Sequence, residues 1–407
     1  MTRAVAVAYR MYASLLALAL IAPYVISLIK YPKTKVLEVK AAHFFHPFRT
    51  RTHAVIHMGV HKTGSTTIQA LSAELIASLG RDGFEMPWSS ASFSKSRSLL
   101  KIAGFNQVHF STCFLKPSEG ERKVYPCVPE LLLAGLEIAQ RNKSLFISAE
   151  TFDGIDDDGL KLMTAYLSSW DHTSVIVFYR RYYDWLISVH GQISNANPSF
   201  ADLSSFISDQ IRSSQFSHTT NLVKRLKGHA LDVVVLNFHE GEHGLPEKFY
   251  CDAIPEIWQH TCQALRTNYS MTALKQNTAK DNTYEKIVKG AIDAGLVQLD
   301  PRNGLKFKAM CNSVKDYHEQ THSAKEDLLI KKCPPSDDLQ LLLNISIELE
   351  LDILPHLSQR PSKQPIEEDF SRRVASGGFC GLNVDETLKL LEWKSYFEST
   401  AVQNSTT

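Results

Sequence analysis

A short apolar segment that leads into a glycine turn and then a helical pattern is the feature that most constrains this chain. Residues 54–58 predict a buried strand, Gly59 and Gly64 follow it, and residues 65–79 carry isoleucine and leucine at helical spacing. A strand, a glycine-containing turn and a helix in this order open an α/β domain. We therefore expect a parallel sheet flanked by helices, with ligands at the carboxyl ends of its strands.

Later segments continue this alternation. Apolar residues predict further strands at 145–148, 174–179 and 231–238, and a helix should follow the second of these at 182–193. Residues 80–142 are less regular and suggest an insertion that covers a substrate cleft. Past residue 241 the chain becomes mainly helical and polar, with an amphipathic stretch at 337–354, so a mainly helical C-terminal part is expected.

Composition and charge exclude some classes of protein. The 407 residues are 44% apolar and 21% charged, which permits a packed core and argues against global disorder. The formal net charge of +1 argues against a nucleic-acid partner, because such proteins usually carry a clear basic excess. A local basic pocket for a small anion remains compatible with this charge.

An uncharged, mostly apolar run at residues 12–29 predicts a membrane anchor. As a helix it spans about 27 Å, close to the hydrocarbon thickness of a bilayer. A cleaved signal peptide is the alternative. Basic residues flank both ends, so the positive-inside rule does not decide the orientation. The expected organisation is a tail at 1–11, a transmembrane anchor at 12–29, a stem at 30–51 and a catalytic domain at 52–400.

The cysteines show no C-x-x-C spacing, so no zinc site is expected. Disulfides are expected in an oxidising compartment, whereas a cytosolic chain would keep free thiols. Four N-x-S/T sequons give weak support for a lumenal domain. The sequence does not fix connectivity, but six cysteines form local couples and leave Cys380 over: Cys113 with Cys127, Cys251 with Cys262, and Cys311 with Cys333.

The glycine turn is suited to an anion but differs from a kinase loop. Residues 57–67 read H-M-G-V-H-K-T-G-S-T-T, and Gly59 and Gly64 have the spacing of a Walker A loop. Ser65 follows directly where that loop needs a lysine, and Lys62 lies two residues before the second glycine. This placement favours one phosphate with an adjacent transferable group over a triphosphate. An ordinary turn that caps a helix with serine or threonine is the alternative.

A second pair of residues has the chemistry of a phosphate site. Arg180 ends the strand predicted at 174–179, and Ser188 lies eight residues later on the following helix. A guanidinium with two parallel donors and a hydroxyl can share one phosphate. By spacing we assign the phosphate to Arg180, expect Arg181 to be a solvated or ion-paired surface residue, and expect Asp184 to pair with an arginine.

Together the two motifs resemble sulfotransferases that use 3′-phosphoadenylyl sulfate (PAPS), especially the Golgi carbohydrate branch. H-K-T-G-S-T-T is similar to their 5′-phosphosulfate loop, and an arginine at a strand end with a serine eight residues later is similar to their 3′-phosphate signature. Many members continue with Asp-Pro after the arginine, whereas Arg181 and Tyr182 stand here. The likeness covers about residues 53–70 and 144–192.

The resemblance implies a P-loop-type α/β fold and sulfuryl transfer from PAPS to an acceptor hydroxyl, preferably on a glycan, without a metal. It implies a single-pass type II protein of the Golgi membrane with a lumenal catalytic domain. Lys62 would contact the 5′-phosphate and stabilise the leaving oxygen. The donor would be bound by Lys62, Thr63, Gly64, Ser65, Thr66, Thr67, Arg180 and Ser188.

The catalytic base is less constrained. Glu150 follows the strand predicted at 145–148 and is the first candidate, with a carboxylate at a helix N-terminus as its alternative role. His61 lies inside the loop and is the second candidate, unless it only packs there. His57 is expected in the core, and His190 is open to either reading. Residues 275–280 are basic and rich in amides, and either close over the nucleotide or form a solvated linker.

Two other functions compete with sulfuryl transfer. A P-loop nucleotide kinase would need a lysine after the second glycine, and the displaced Lys62 and the pair of Arg180 with Ser188 speak against it. A membrane-anchored protein that binds a nucleotide without catalysis is also compatible with the sequence, because no base is fixed.

Overall fold

A computed structural model gives the structure of the protein. The predicted transmembrane segment at 12–29 lies outside the described residues, and so does the predicted stem apart from Arg51. Within the described part of the chain, no helix has the length and apolar character needed to cross a membrane. The described residues are 51–59, 63–87, 108–115, 129–150, 152–197, 201–213, 218–239, 244–268, 282–299, 304–322, 328–358 and 365–404.

The central sheet consists of β1 His53–Gly59, β2 Phe84–Glu85, β3 Ser144–Glu150, β4 His172–Tyr179 and β5 Asp232–Asn237. The strands are parallel and lie in the order β2-β3-β1-β4-β5. β1, β3 and β4 are buried over nearly every position, as expected for strands covered on both faces. The four strands predicted from apolar runs are confirmed, whereas β2 is too short to give a periodic signal.

The strand order predicts a ligand crevice beside β1. The chain leaves β1 toward the β2 edge of the sheet and leaves β4 toward the β5 edge. Connections that depart in opposite directions open a gap at the carboxyl ends of two adjacent strands, where ligands of open α/β sheets bind. The segments that follow β1 and β4 are the two that carry the predicted anion-binding motifs.

The register of β4 and β5 brings their carboxyl ends level. Ser174 lies opposite Asp232, and Tyr179 lies opposite Asn237. One further bond, 2.8 Å from the Phe238 N–H to the Tyr179 carbonyl, extends the pairing past the last regular pair. The residues that follow the two strands therefore leave the sheet side by side.

The helix predicted at 65–79 is divided at Leu75, whose backbone leaves helical geometry at φ −86° and ψ 9°. The helix predicted at 182–193 is confirmed and extends slightly further. The helices in this part of the chain are α1 Ser65–Glu74, α2 Ile76–Arg81, α3 Val108–Ser111, α4 Pro129–Gln140, α5 Asp157–Leu167, α6 Tyr182–Ala196, α7 Leu203–Arg212 and α8 His218–Gly228.

The C-terminal part is mainly helical, as predicted. A short two-stranded sheet pairs β6 Lys331–Lys332 antiparallel with β7 Gly381–Leu382. The helix expected at 337–354 is confirmed within one residue at each end. The helices are α9 Leu245–Glu247, which continues as a π-helix at Lys248–Asp252, then α10 Gln259–Asn268, α11 Thr283–Asp293, α12 Gly304–His322, α13 Ser336–Ile353, α14 Ile366–Ala375, α15 Val384–Lys389 and α16 Leu391–Asn404.

The described residues form two compact units. The first lies within 51–54, 85–147 and 155–173, and Phe110, Phe114 and Tyr166 form an aromatic cluster in it. The second lies within 55–84, 148–154 and 174–404. It contains the carboxyl ends of β1, β3, β4 and β5. Its two apolar clusters are built on α6, α7, α13 and α14, and on α11, α12, α15 and α16.

Two disulfides join described cysteines, and one of them corrects the sequence prediction. Cys251–Cys262 is confirmed. The expected couple of Cys311 with Cys333 is wrong, because Cys333 is bonded to Cys380, and Cys311 is buried outside these disulfides. The antiparallel pairing of β6 with β7 explains the choice, since Cys333 follows one strand and Cys380 precedes its partner.

The remaining predicted couple is described at one end only. Cys113 is disulfide-bonded, and Cys127 lies outside the described residues. Five of the described cysteines therefore take part in disulfides, a usage typical of proteins that fold in an oxidising compartment.

Candidate functional site

The N-terminus of α1 forms the first side of the site. Gly64 caps the helix from the left-handed region, with φ +87° and ψ +15°, and its carbonyl accepts bonds from Thr67 N–H at 3.0 Å and Ile68 N–H at 3.3 Å. The first amides of an α-helix have no carbonyl partner within that helix. Those of Ser65 and Thr66 are in this position, so this end of the helix is suited to an anion.

Glycine is required at position 64 because neighbouring side chains leave no room for a Cβ atom, as well as because of the left-handed backbone. A Cβ atom at this position would lie 2.1 Å from Leu245 Cδ2 and 3.7 Å from Phe238 Cε2. Leu245 begins α9, and Phe238 follows β5 directly. The turn of α1 is thus packed against the segment that leaves β5.

The hydroxyls of this turn differ in burial. Ser65 Oγ is buried beside Gly59 and has no hydrogen-bond partner among the described residues. Thr63 is also buried, Thr67 is half-buried, and Thr66 is exposed. A buried hydroxyl without a partner loses its bonds to water, so a ligand acceptor at Ser65 would restore one.

Glu150 reaches the same turn from the end of β3. Thr66 Oγ1 donates to Glu150 Oε1 at 3.5 Å, and the carboxylate is half-buried. The predicted position of Glu150, at a strand's carboxyl end beside the glycine turn, is confirmed. The two other predicted catalytic residues, His61 and Lys62, lie outside the described residues, and their roles stay predictions.

Arg180 forms the second side of the site, directly after β4. Its Nε lies 3.0 Å and its Nη2 2.9 Å from Asp184 Oδ2, so both nitrogens bond the same carboxylate oxygen. Asp184 and Ser188 follow at successive turns of α6, which places them on one face of the helix. The guanidinium therefore lies at the N-terminal end of the face that carries Ser188.

Arg181 has a different role from its neighbour. Its guanidinium is 2% exposed and bonds Glu350 on α13 with two nitrogens, at 3.0 and 3.3 Å. Asp369 on α14 lies 3.6 Å from its Nη1. The prediction of an ion pair is confirmed, but the pair is buried rather than on the surface. Arg180 takes no part in this buried pair with Glu350 and instead bonds Asp184.

One aromatic ring connects the two sides. The guanidinium carbon of Arg180 lies 4.9 Å from the centre of the Phe238 ring, whose edge also approaches Gly64. Lys248 holds this segment in place, because its buried Nζ donates to the carbonyls of Asn237 and Phe238, each at 3.1 Å. The two predicted motifs therefore meet at one edge of the sheet.

His239 is a site residue that the sequence analysis missed. Its Nε2 accepts the backbone N–H of Arg181 at 3.1 Å and lies 3.8 Å from Asp184 Oδ2. Burial, together with the positive charges of Arg181 and Arg180, lowers the pKa of His239 to about 4. The ring is therefore neutral near pH 7. Its position after the strand predicted at 231–238 was the available signal.

Two other histidines have structural roles. His57 is fully buried, its Nδ1 lies 2.8 Å from Ser148 Oγ, and burial lowers its pKa to about 3, so the expected core position is confirmed. His190 Nε2 lies 2.9 Å from the Ala201 carbonyl, and burial lowers its pKa. The basic segment at 275–280 lies outside the described residues.

Comparison with known proteins identifies no relative. No protein-family model, curated protein or solved structure matches the chain.

Among the residues that the structure describes, no three histidine, cysteine, aspartate or glutamate side chains are grouped so that they could hold a metal ion.

Replacing Gly64 with alanine should destabilise the protein, because an L-residue in the left-handed region costs about 1–2 kcal/mol. Gly80→Ala is the matched control, since open space surrounds that position in α2. It should be neutral or slightly stabilising. Urea denaturation followed by circular dichroism measures both free energies of unfolding. Equal stability of Gly64→Ala and the wild type would refute a strained turn at Gly64.

Acidification should destabilise the protein partly through His239. Between the unfolded pKa of about 6.5 and the folded pKa of about 4, the unfolded chain binds a proton that the folded chain does not. The stability that the neutral His239 contributes is therefore fully present above pH 6.5 and is lost as the pH falls. At pH 5 the loss from this residue is about 2 kcal/mol.

His239→Gln keeps an acceptor near the Arg181 N–H but cannot titrate. The loss of unfolding free energy between pH 7 and pH 5 should shrink by about 2 kcal/mol in this variant. His260→Gln, at an exposed position, serves as the control. If both variants lose as much stability as the wild type on acidification, His239 is not the titrating group.

Proposed function

We propose that this chain is a sulfotransferase that moves a sulfuryl group from PAPS to a hydroxyl of a glycan, with a P-loop-type α/β fold. The observation that carries the proposal is the meeting of two anion-binding groups at the crevice beside β1. The N-terminus of α1 lies on one side and Arg180 on the other, with Phe238 in contact with both. A donor with phosphates at two separate positions requires such a pair of sites.

The residues present fit the donor. The first amides of α1 and the buried, unpartnered Ser65 hydroxyl are suited to the 5′ end, together with Thr63, Thr66 and Thr67. Arg180 and Ser188 are suited to the 3′-phosphate, because a guanidinium and a hydroxyl offer several donors to one anion. When bound, PAPS supplies the transferable sulfuryl group and a phosphate as the leaving group.

Lys62 and Glu150 have complementary tasks in this proposal. Lys62 places a positive charge beside the leaving oxygen, since stabilising developing charge is a large part of such catalysis. Glu150 lies at the neighbouring strand end, within 3.5 Å of Thr66 Oγ1, and accepts the proton of the acceptor hydroxyl.

The proposed location is the Golgi membrane, with residues 12–29 as a single type II anchor and the catalytic domain in the lumen. The disulfides support an oxidising compartment, because the cytosol keeps thiols reduced. A lumenal domain also meets the glycan acceptors that the proposal requires.

The proposal predicts selective binding of adenosine 3′,5′-bisphosphate to the purified full-length chain. At 100 times the dissociation constant this ligand should raise the unfolding free energy by about 2.7 kcal/mol. Arg180→Ala should weaken its binding at least about tenfold, because a charge-assisted phosphate contact is lost. Calorimetry measures the affinities, and Arg212→Ala is the control at an exposed arginine that bonds Asp338. Stronger stabilisation by ATP with Mg²⁺ would overturn the proposal.

Replacing Glu150 with glutamine should slow transfer but leave nucleotide affinity unchanged. Loss of a general base typically costs about 10²–10⁴ in rate. The assay follows labelled sulfate from PAPS to unsulfated chondroitin, heparosan and lactose-type oligosaccharides. Glu74→Gln, at the exposed end of α1, is the matched control. Transfer by Glu150→Gln at the wild-type rate would assign the base elsewhere.

A further inference from the structure

A buried carboxylate lies between two arginines that are far apart in the chain. Asp184 is 5% exposed, and its Oδ2 accepts both bonds from Arg180. Its other oxygen, Oδ1, is bonded by Nη2 of Arg373, which lies on α14. Asp184 thus connects the proposed phosphate-binding arginine with the C-terminal helices.

Two further contacts hold the side chain of Arg373 beside Asp184. Its guanidinium lies 5.8 Å from the centre of the Tyr183 ring, and its Nε lies 3.9 Å from Asp369 Oδ2. The side chain is 34% exposed, whereas the neighbouring Arg372 is 62% exposed and only approaches Asp369 Oδ1, at 3.9 Å. Two consecutive arginines of one helix therefore differ in whether they touch Asp184.

The sharing of one carboxylate changes what Arg180 can offer to an anion. If Asp184 were paired with Arg180 alone, its carboxylate would neutralise that arginine. An incoming phosphate would then have to compete with the full negative charge of Asp184 for the guanidinium. When Arg373 takes Oδ1, the charge of Asp184 is divided between two guanidinium groups. Arg180 stays fixed through Oδ2, but its positive charge is only partly offset.

We propose that Arg373 is a positioning residue that acts through Asp184 to orient Arg180 and to keep it able to bind the 3′-phosphate. The inference rests on the proposed function for the identity of the ligand. Arg373 sets the preference for a nucleotide with a second phosphate and does not itself contact the 5′ end.

Calorimetry with adenosine 3′,5′-bisphosphate and with adenosine 5′-monophosphate, on the full-length chain, separates this role from general stabilisation. Arg373→Gln should weaken the bisphosphate about tenfold and change the monophosphate by less than about twofold. Arg373→Lys should recover part of the loss, because it restores charge without the forked geometry. Arg372→Gln, the matched control on the same helix, should leave both affinities unchanged.

The double variant Asp184→Asn with Arg373→Gln tests whether Arg373 acts through Asp184. In the Asp184→Asn background Arg373→Gln should have no further effect on the ratio of the two affinities. An undiminished effect would mean that Arg373 acts without Asp184, and equal loss of both ligands would mean a general structural role; each result overturns the inference. A wild type that does not prefer the bisphosphate overturns the proposed function itself, and this inference with it.

Discussion

The buried pairing of Arg181 with Glu350 fixes the direction of everything that follows β4. A guanidinium that is 2% exposed is stable only with its charge and donors satisfied, and the two-nitrogen bond to Glu350 provides this. The backbone N–H of Arg181 is bonded as well, to His239 Nε2 at 3.1 Å. Arg181 is thereby held at both its side chain and its backbone, and this fixes the point at which the chain passes from β4 into α6.

This anchoring gives the C-terminal helices a role beyond packing. α13 supplies Glu350, and α14 supplies Asp369 and Arg373. The pairing of β6 with β7 and the disulfide next to it join the chain before α13 to the chain after α14. A covalent bond that limits the freedom of both helices also limits the movement of the charges they bring to β4.

Charge balance in this cluster depends on His239. Arginines 180, 181 and 373 face the carboxylates of Asp184, Glu350 and Asp369, so the arginines and the carboxylates balance. A protonated His239 would add a fourth positive charge to this buried cluster, close to the guanidinium groups of Arg180 and Arg181. Its lowered pKa avoids this, and the neutral Nε2 accepts the N–H of Arg181. The hydrogen bond that fixes the backbone thus requires the neutral ring.

Local patterns in the sequence predicted the elements and the strand ends well. Apolar runs located four strands, and the position of Glu150 followed from where one of those runs ends. Partners far apart in the chain left no such pattern. Glu350 lies 169 residues from Arg181, and Cys333 is bonded to Cys380, 47 residues away, beside the paired strands β6 and β7. Tertiary packing decides these contacts, and no local periodicity encodes it.

If the proposed function is right, Phe238 adds a selection that neither of the two proposed anion sites makes alone. A Cβ atom on Gly64 would lie 3.7 Å from the Phe238 ring, and the guanidinium carbon of Arg180 lies 4.9 Å from the centre of the same ring. Apolar surface therefore lies between the two groups that are suited to anions. A continuous triphosphate that bridged them would have to place charged oxygens against this ring, where they lose water and gain no donors. A nucleoside with phosphates at two ends of its sugar places carbon there instead. In the proposed function, the ring would therefore favour PAPS, whose phosphates lie at two ends of the nucleoside, over ATP.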